Sequence, residues 1–448
     1  MIIRKHLKGG RIALFFLFLV LFMKFAGAVQ RTPKDLSLQE KIYILSKTYS
    51  SINLYFSHWQ AIPDYSIDSS YKACLKKIMG TKDRFSFDML MMEFLGQLRN
   101  GHTWYFDRWL LKEFGQPLGF KFKYIHGKWI ITKSFISPLK RGEIIDKING
   151  KSFEEFYQKM RKYINASSDR ERRVKFKFKT FLFPEKFTLK LLSGKKVVIN
   201  RKVQNILRKE RKTEGRWIEN GSIAYIKIPG FDNPTFEKSA IEYVKKYRKA
   251  KVLIVDIRDN GGGNTPGELI DILQDRPYRF WTESTQVSFS LFRAYKKIIG
   301  LFGNQLSKDY KNSLEMFSDY FGDSHLLWFS HYKKPENTIF KGKLIILSDR
   351  GCASACEDFV VTFKDNHRAM IVGERTMGSS GQPYMYKFND DIFIAIGTKR
   401  EYMPDGSPFE GKGIEPDIKI LPELKDIKNG KDPVLEKAIA IAKRDKIF

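Results

Sequence analysis

A multidomain α/β fold is predicted for this 448-residue chain: a helical amino-terminal region, a β-rich unit, and a core of alternating strands and helices. Three observations predict it. Helical periodicity rich in aromatics runs from about Asp35 to Glu113, strand patterns broken by glycine turns follow, and from about Gly215 apolar strand runs alternate with amphipathic helices. A chain of this length exceeds what one compact core organises.

The elements follow in order. Arg4, Lys5, Lys8 and Arg11 precede an apolar run of eleven residues, Ile12 to Phe22, and a small-residue site at Ala26-Gly27-Ala28. That is the pattern of a secretory signal peptide over residues 1–28, since a membrane span needs about twenty apolar residues. Export to a periplasm or the exterior is expected, with an uncleaved anchor as the alternative. Residues 29–113 form the helical region, typified by LQEKIYILSKTYSSINLYFSHW, and deliver His102.

Residues 114–205 read as β-rich: PLGFKFKYIHGKWIITKSFI alternates, LKRGEIIDKINGKSFEEFYQKM joins a strand and turn to an amphipathic helix, and FTLKLLSGKKVVINRK closes the unit. Residues 215–425 carry the α/β core. Its elements are SIAYIKIPGF, a helix from Pro234 to Tyr247, a strand at Val252, a helix after Thr265, the strand LIILSD, and a helix opening at Ser354. An aromatic, basic insertion lies between Phe280 and Phe340, either a substrate-facing lid or surface decoration. Residues 426–448 hold a carboxy-terminal helix with Asp432 as N-cap and Pro433 in its first turn.

The chemistry centres on DRGCASACEDFVVTFKDNHRAMIVGERTMGSSGQ, from Asp349 to Gln382. Ser354 follows a turn-prone Asp-Arg-Gly and precedes Phe359, Val360 and Phe363 at helical spacing. A hydroxyl there sits beside unpaired backbone N–H groups and the positive end of a helix dipole, a seat for a nucleophile or for an ordinary N-cap. Upstream, KVLIVDIRDNGGGN is a buried strand running into Gly261, Gly262 and Gly263, whose amides can approach a ligand closely. His102 stands between Gly101 and Thr103, and Glu410 lies in the glycine-rich SPFEGKGIEPDI, where a carboxylate could orient an imidazole.

At these residues the sequence resembles the S41 peptidases, the C-terminal processing and tricorn-core family. The resemblance runs from about Leu95 to the tail. It rests on His102-Thr103, Asp256 to Gly263, Ala353-Ser354-Ala355 with Glu357 close behind, Asp365 with Arg368-Ala369, Gly373 with Thr376, and Gly413-Ile414-Glu415-Pro416-Asp417. It implies a ClpP/crotonase-like α/β core and a PDZ-like domain over residues 114–205, a module that captures peptides by adding them as strands to a sheet edge. One branch of the family uses a lysine base; the matching position, 25 residues after Ser354, is Ser379, followed by Ser380. The other, tricorn-like branch uses a histidine supported by a glutamate, which map onto His102 and Glu410. The tricorn enzyme also has a serine before its histidine, where this chain has Gly101.

The resemblance thus implies an exported serine peptidase acting on protein or peptide substrates, with Ser354 as nucleophile, His102 as base and Glu410 as orienting acid. The oxyanion would be received by the N–H groups of Ala355 and Gly262. No cofactor or metal is called for. An inactive relative binding peptides or apolar ligands, or a scaffold working through the PDZ-like unit, is the alternative class.

His58, His126, His325, His331 and His367 read as structural, and Lys387 and Lys399 do not match the missing lysine in spacing. Three cysteines, Cys74, Cys352 and Cys356, exclude a disulfide framework, and the pair flanking Ser354 is expected to be small packing residues rather than a bridge. The formal net charge of +30 is spread through every segment, which argues against nucleic acid as a partner and leaves attraction to an anionic envelope or acidic substrates open.

Overall fold

Short polar residues open most helices, as their capping chemistry dictates. In the first helix Ser37 Oγ accepts from Glu40 N–H while the Glu40 carboxylate takes the Ser37 N–H, a reciprocal capping box. The computed structural model describes residues 35–203, 211–219, 221–286, 294 and 325–444; the expected signal peptide and much of the 280–340 insertion lie outside them. Among the described residues no helix is long and apolar enough to cross a membrane.

The amino-terminal region is α1 (Leu38–Tyr55), α2 (Ile67–Ile78), α3 (Arg84–Gly96), β1 (Trp104–Asp107) and α4 (Arg108–Phe114). Its helices bury Leu45, Ile52, Ile78, Phe87, Met91 and Leu95 against one another. The β-rich unit follows as β2 (Phe120–Ile125), β3 (Lys128–Ser134), β4 (Ile144–Ile148), β5 (Lys151–Ser152), α5 (Phe153–Met160), α6 (Asp169–Phe176), β6 (Lys186–Leu191) and β7 (Lys196–Asn200). Its antiparallel sheet has the order β2-β3-β4-β6-β7, with β5 on β4. Phe122, Trp129, Phe153, Phe176 and Phe183 fill the space between this sheet and its helices.

The core comprises β8 (Glu214–Glu219), β9 (Ile223–Lys227), α7 (Pro234–Lys246), β10 (Val252–Asp256), α8 (Gly267–Leu273), β11 (Thr282–Gln286), β12 (His325–Trp328), β13 (Lys343–Ser348), α9 (Ala355–Asp365), β14 (Ala369–Gly373), β15 (Pro383–Lys387), β16 (Ile392–Gly397), β17 (Arg400–Tyr402), β18 (Ile418–Lys419), α10 (Leu424–Asn429) and α11 (Pro433–Ala442). One sheet, ordered β18-β14-β13-β10-β9-β8, is parallel except at β8. All five residues of β10 are buried, because helices cover both faces of a parallel sheet. Leu253 and Val255 pack toward α7, α8 and α9, while Val252 and Ile254 pack toward Val434, Ala438 and Ile441 of α11. Asp432 caps α11, as its sequence predicts, accepting from Leu435 N–H at 3.0 Å.

Two small sheets join segments far apart in the chain. The helical amino-terminal region also carries β1, which pairs antiparallel with β16 in a sheet ordered β1-β16-β15. A long-range pairing of that kind leaves no local periodicity to read. Within the 280–340 insertion β11 and β12 pair antiparallel, and β17 takes the other edge of β11.

Candidate active site

The seat of Ser354 is built by backbone geometry. Ser354 precedes α9 with φ 55° and ψ −127°, a region that non-glycine residues avoid, and such strain persists only where surrounding bonds enforce it. Here those bonds converge on Glu357. Its buried carboxylate accepts from Ser354 N at 3.2 Å, Gly378 N at 2.7 Å, Ser379 N at 3.0 Å and Thr376 Oγ1 at 2.6 Å. Burial pushes the Glu357 carboxyl up to about 8 against these donors. The Ser354 N–H also donates to Ser379 O at 3.0 Å, so the Ser354 turn and the 376–379 loop are stapled together.

Cys352 and Cys356 form a disulfide across this turn, contrary to the expectation of two packing thiols. Their Cα atoms lie 5.4 Å apart, a bridging distance set by the tight turn into the first helical residues. Cys74 is free and buried.

His102 arrives from the other side. It stands in the turn between α3 and β1, fixed by Asn100 Oδ1, which accepts from His102 N at 3.1 Å and from Thr103 Oγ1 at 2.9 Å. Gly397 N in turn donates to Thr103 Oγ1 at 2.9 Å, tying the turn to β16. Behind β1 the buried guanidinium of Arg84 grips Asp107 through Nε and Nη2 at 2.7 and 2.9 Å. The result brings His102 Nε2 to 3.3 Å from Ser354 Oγ. Burial drives the His102 imidazole down to about 3, with positive charge at Lys175 and Lys399 adding to the effect, so at neutral pH the ring is uncharged.

Glu410 joins the same cluster. It accepts from Ser167 Oγ, from Ser380 N at 3.3 Å and from Asn100 Nδ2 at 3.5 Å, while the group 3.4 Å from His102 Nδ1 is the hydroxyl of Ser379. Burial holds the Glu410 carboxyl well above the usual range, and Glu171 and Glu357 add like charge.

The glycine loop packs directly on Ser354. At Gly262, with φ 91°, a Cβ would meet Ala353 O at 2.5 Å and Ser354 Cβ at 2.9 Å, so only glycine allows this approach. Gly262 nevertheless departs from its expected role as an oxyanion donor: its N–H donates to Asn260 Oδ1 at 2.9 Å in a local Asx turn. The Ala355 N–H, at the opening turn of α9, has no acceptor among the described residues.

The sequence motifs missed Ser167 and Glu171, which flank the start of α6 and reach the site through Glu410 and the Gly101 backbone. The sequence carries no motif at that point. His58 is buried and driven down to about 3 by desolvation and by Arg400, in keeping with a structural histidine. Lys399 pairs with Glu283 and Glu401. Among the described residues no cluster of His, Cys, Asp and Glu has a metal-holding arrangement.

Residues 222–420 match the model of peptidase family S41. A probable CtpA-like serine protease of Staphylococcus epidermidis is 37% identical over 78 residues, 17% of this chain and 16% of that protein. The chloroplastic carboxyl-terminal-processing peptidase 1 of Arabidopsis thaliana is 25% identical over 215 residues, 47% of this chain and 36% of that protein. The matched stretches thus span well under half the length of these curated relatives. The crystal structure of mature CPAF superimposes with a TM-score of 0.69 at 14% identity, covering 92% of this chain and 99% of that one. Its complex with lactacystin gives 0.67 at 13% identity, over 91% and 98% of the two chains, and at such identities the likeness is one of fold. Over residues 222–420, which hold Ser354 at the head of α9, the chain is thus similar to peptidase family S41.

Proposed function

We propose that this protein is an exported serine peptidase that hydrolyses peptide bonds through an acyl-enzyme on Ser354. The observation that carries the reading is the 3.3 Å approach of an uncharged His102 Nε2 to the hydroxyl of a strained serine at a helix N-terminus. Ser354 Oγ attacks the substrate carbonyl as Nε2 takes its proton. The imidazolium then protonates the leaving amine, and water, activated by the same ring, releases the acyl group. The Ala355 N–H receives the oxyanion, a contribution of roughly 3 kcal/mol to the barrier for one such donor. Glu410 supports the histidine turn from behind, accepting from Asn100 Nδ2, and braces the 379–380 segment through Ser380 N–H.

The tricorn-like assignment rests on His102 in the base position and a serine where the other branch has lysine. In this reading the unit over residues 114–205 is PDZ-like and captures substrate chain along an edge of its sheet, β2 or β7. Export rests on the composition of residues 1–28.

Incubation of the purified protein with denatured casein tests the reading. The wild type is expected to generate peptides and Ser354→Ala to generate none, a loss of about a million-fold in kcat by analogy with other serine nucleophiles. Equal degradation by both would refute it.

A further inference from the structure

His102 needs a partner on its second nitrogen. For Nε2 to accept the Ser354 proton, the neutral ring must carry its own proton on Nδ1, and the group facing Nδ1 decides whether that tautomer is held. That group is Ser379 Oγ, 3.4 Å away and buried. Its backbone is fixed at both ends, since Ser379 N–H donates to Glu357 Oε2 at 3.0 Å and Ser379 O accepts from Ser354 N at 3.0 Å. The hydroxyl is therefore held by the same turn that carries the nucleophile.

Behind it lies Glu171 of α6, with its side chain fully buried. Its Oε2 accepts from Ser167 N at 2.6 Å, whereas Oε1, ion-paired with Lys175 Nζ at 2.5 Å, has no further hydrogen-bond partner among the described residues. Gly101 shows how close these groups stand. A Cβ there would lie 2.0 Å from Ser379 Oγ and 2.4 Å from Glu171 Oε1, so the two oxygens are no farther apart than those lengths laid end to end.

We infer, on the serine-peptidase reading above, that Ser379 is the positioning residue that holds His102 in its Nδ1–H tautomer, with Glu171 Oε1 as the acceptor for the Ser379 hydroxyl. Nδ1–H donates to Ser379 Oγ, and Ser379 O–H donates onward to Glu171; neither proton changes owner during the reaction. A side chain at position 101 would fill the space of this hydroxyl, which accounts for glycine beside the histidine.

The test combines 15N NMR of the imidazole with the rate of fluorophosphonate labelling, in the wild type, Ser379→Ala and Ser379→Thr. The wild type is expected to show Nδ1 protonated and Nε2 bare at neutral pH. Ser379→Ala should mix the tautomers and slow labelling by about 10- to 100-fold, the worth of one hydrogen bond to a charged group, and Ser379→Thr should restore most of the rate. Protonated Nε2 in the wild type would overturn the inference even if Ser379→Ala failed to fold, as would unchanged labelling of that variant. A wild type that is not labelled at all would instead refute the serine-peptidase reading on which the inference rests.

Discussion

At the scale of single residues, the burial of His102 has consequences for activity and for stability. The ring sits well below its ordinary value of 6.5, at about 3, so the base stays unprotonated in moderately acidic solution. The acid limb of a kcat/KM profile for peptide hydrolysis is therefore expected well below pH 6.5, and a limb at that pH would contradict a buried base. Stability follows the same shift. Between 6.5 and about 3 the unfolded chain binds protons at His102 and His58 that the folded chain does not, so these residues cost stability as pH falls through that window. Glu357 acts in the opposite sense: it keeps its proton up to about 8 when folded, so its contribution is lost as pH rises from 4.5 toward that value. Below 4.5 the two histidines lose this counterweight, and a thermal melt should fall steeply on acidification there, less so in His58→Phe.

At the scale of elements, a covalent tie closes the Ser354 turn and an ionic one anchors the strand before the glycine loop. The disulfide predicts that alkylation of unreduced, denatured protein modifies one cysteine, Cys74; three modified cysteines would refute the bridge. Because it closes a very short loop, replacing Cys352 and Cys356 by serine should cost only about 2 kcal/mol in denaturant unfolding. The ionic tie lies at the end of β10. Arg258 donates to both oxygens of buried Asp256 at 2.9 and 2.6 Å and to both oxygens of Asp432 at 2.7 and 2.8 Å, joining the strand before the glycine loop to the cap of α11. Arg258→Ala would leave the buried Asp256 carboxylate with only Tyr225 and Lys227 as side-chain partners and should cost about 3 kcal/mol; a loss under 1 kcal/mol, checked by the same unfolding experiment, would show the tie to be slack.

At the scale of the whole molecule, what could be read in the sequence was what local chemistry writes there. A serine at a helix mouth, three glycines after an apolar strand and Asp432 before Pro433 each declare their role within a few neighbours, and the structure has Ser354, the glycine loop and α11 where those patterns put them. Residues that act through long-range contact were harder to read. The partnership of β1 with β16 depends on segments nearly 300 residues apart, as does the Gly397 bond to Thr103 that locks the histidine turn. Glu171 lies in α6, with Ser167 just before the helix, and the sequence there is only that of a basic helix, so nothing in it announces a carboxylate beneath Gly101. The cysteine pair misled for a related reason: a separation of four residues suits two packed side chains on one helix face as well as it suits a bridge.

The central claim, that His102 activates Ser354, is tested most directly by labelling the purified protein with a fluorophosphonate probe, comparing wild type, Ser354→Ala and His102→Ala. Labelling of the wild type that disappears in both variants, with their folding unchanged, is the predicted result. A well-folded wild type that resists the probe, or a His102→Ala protein that labels as fast as the wild type, would contradict it.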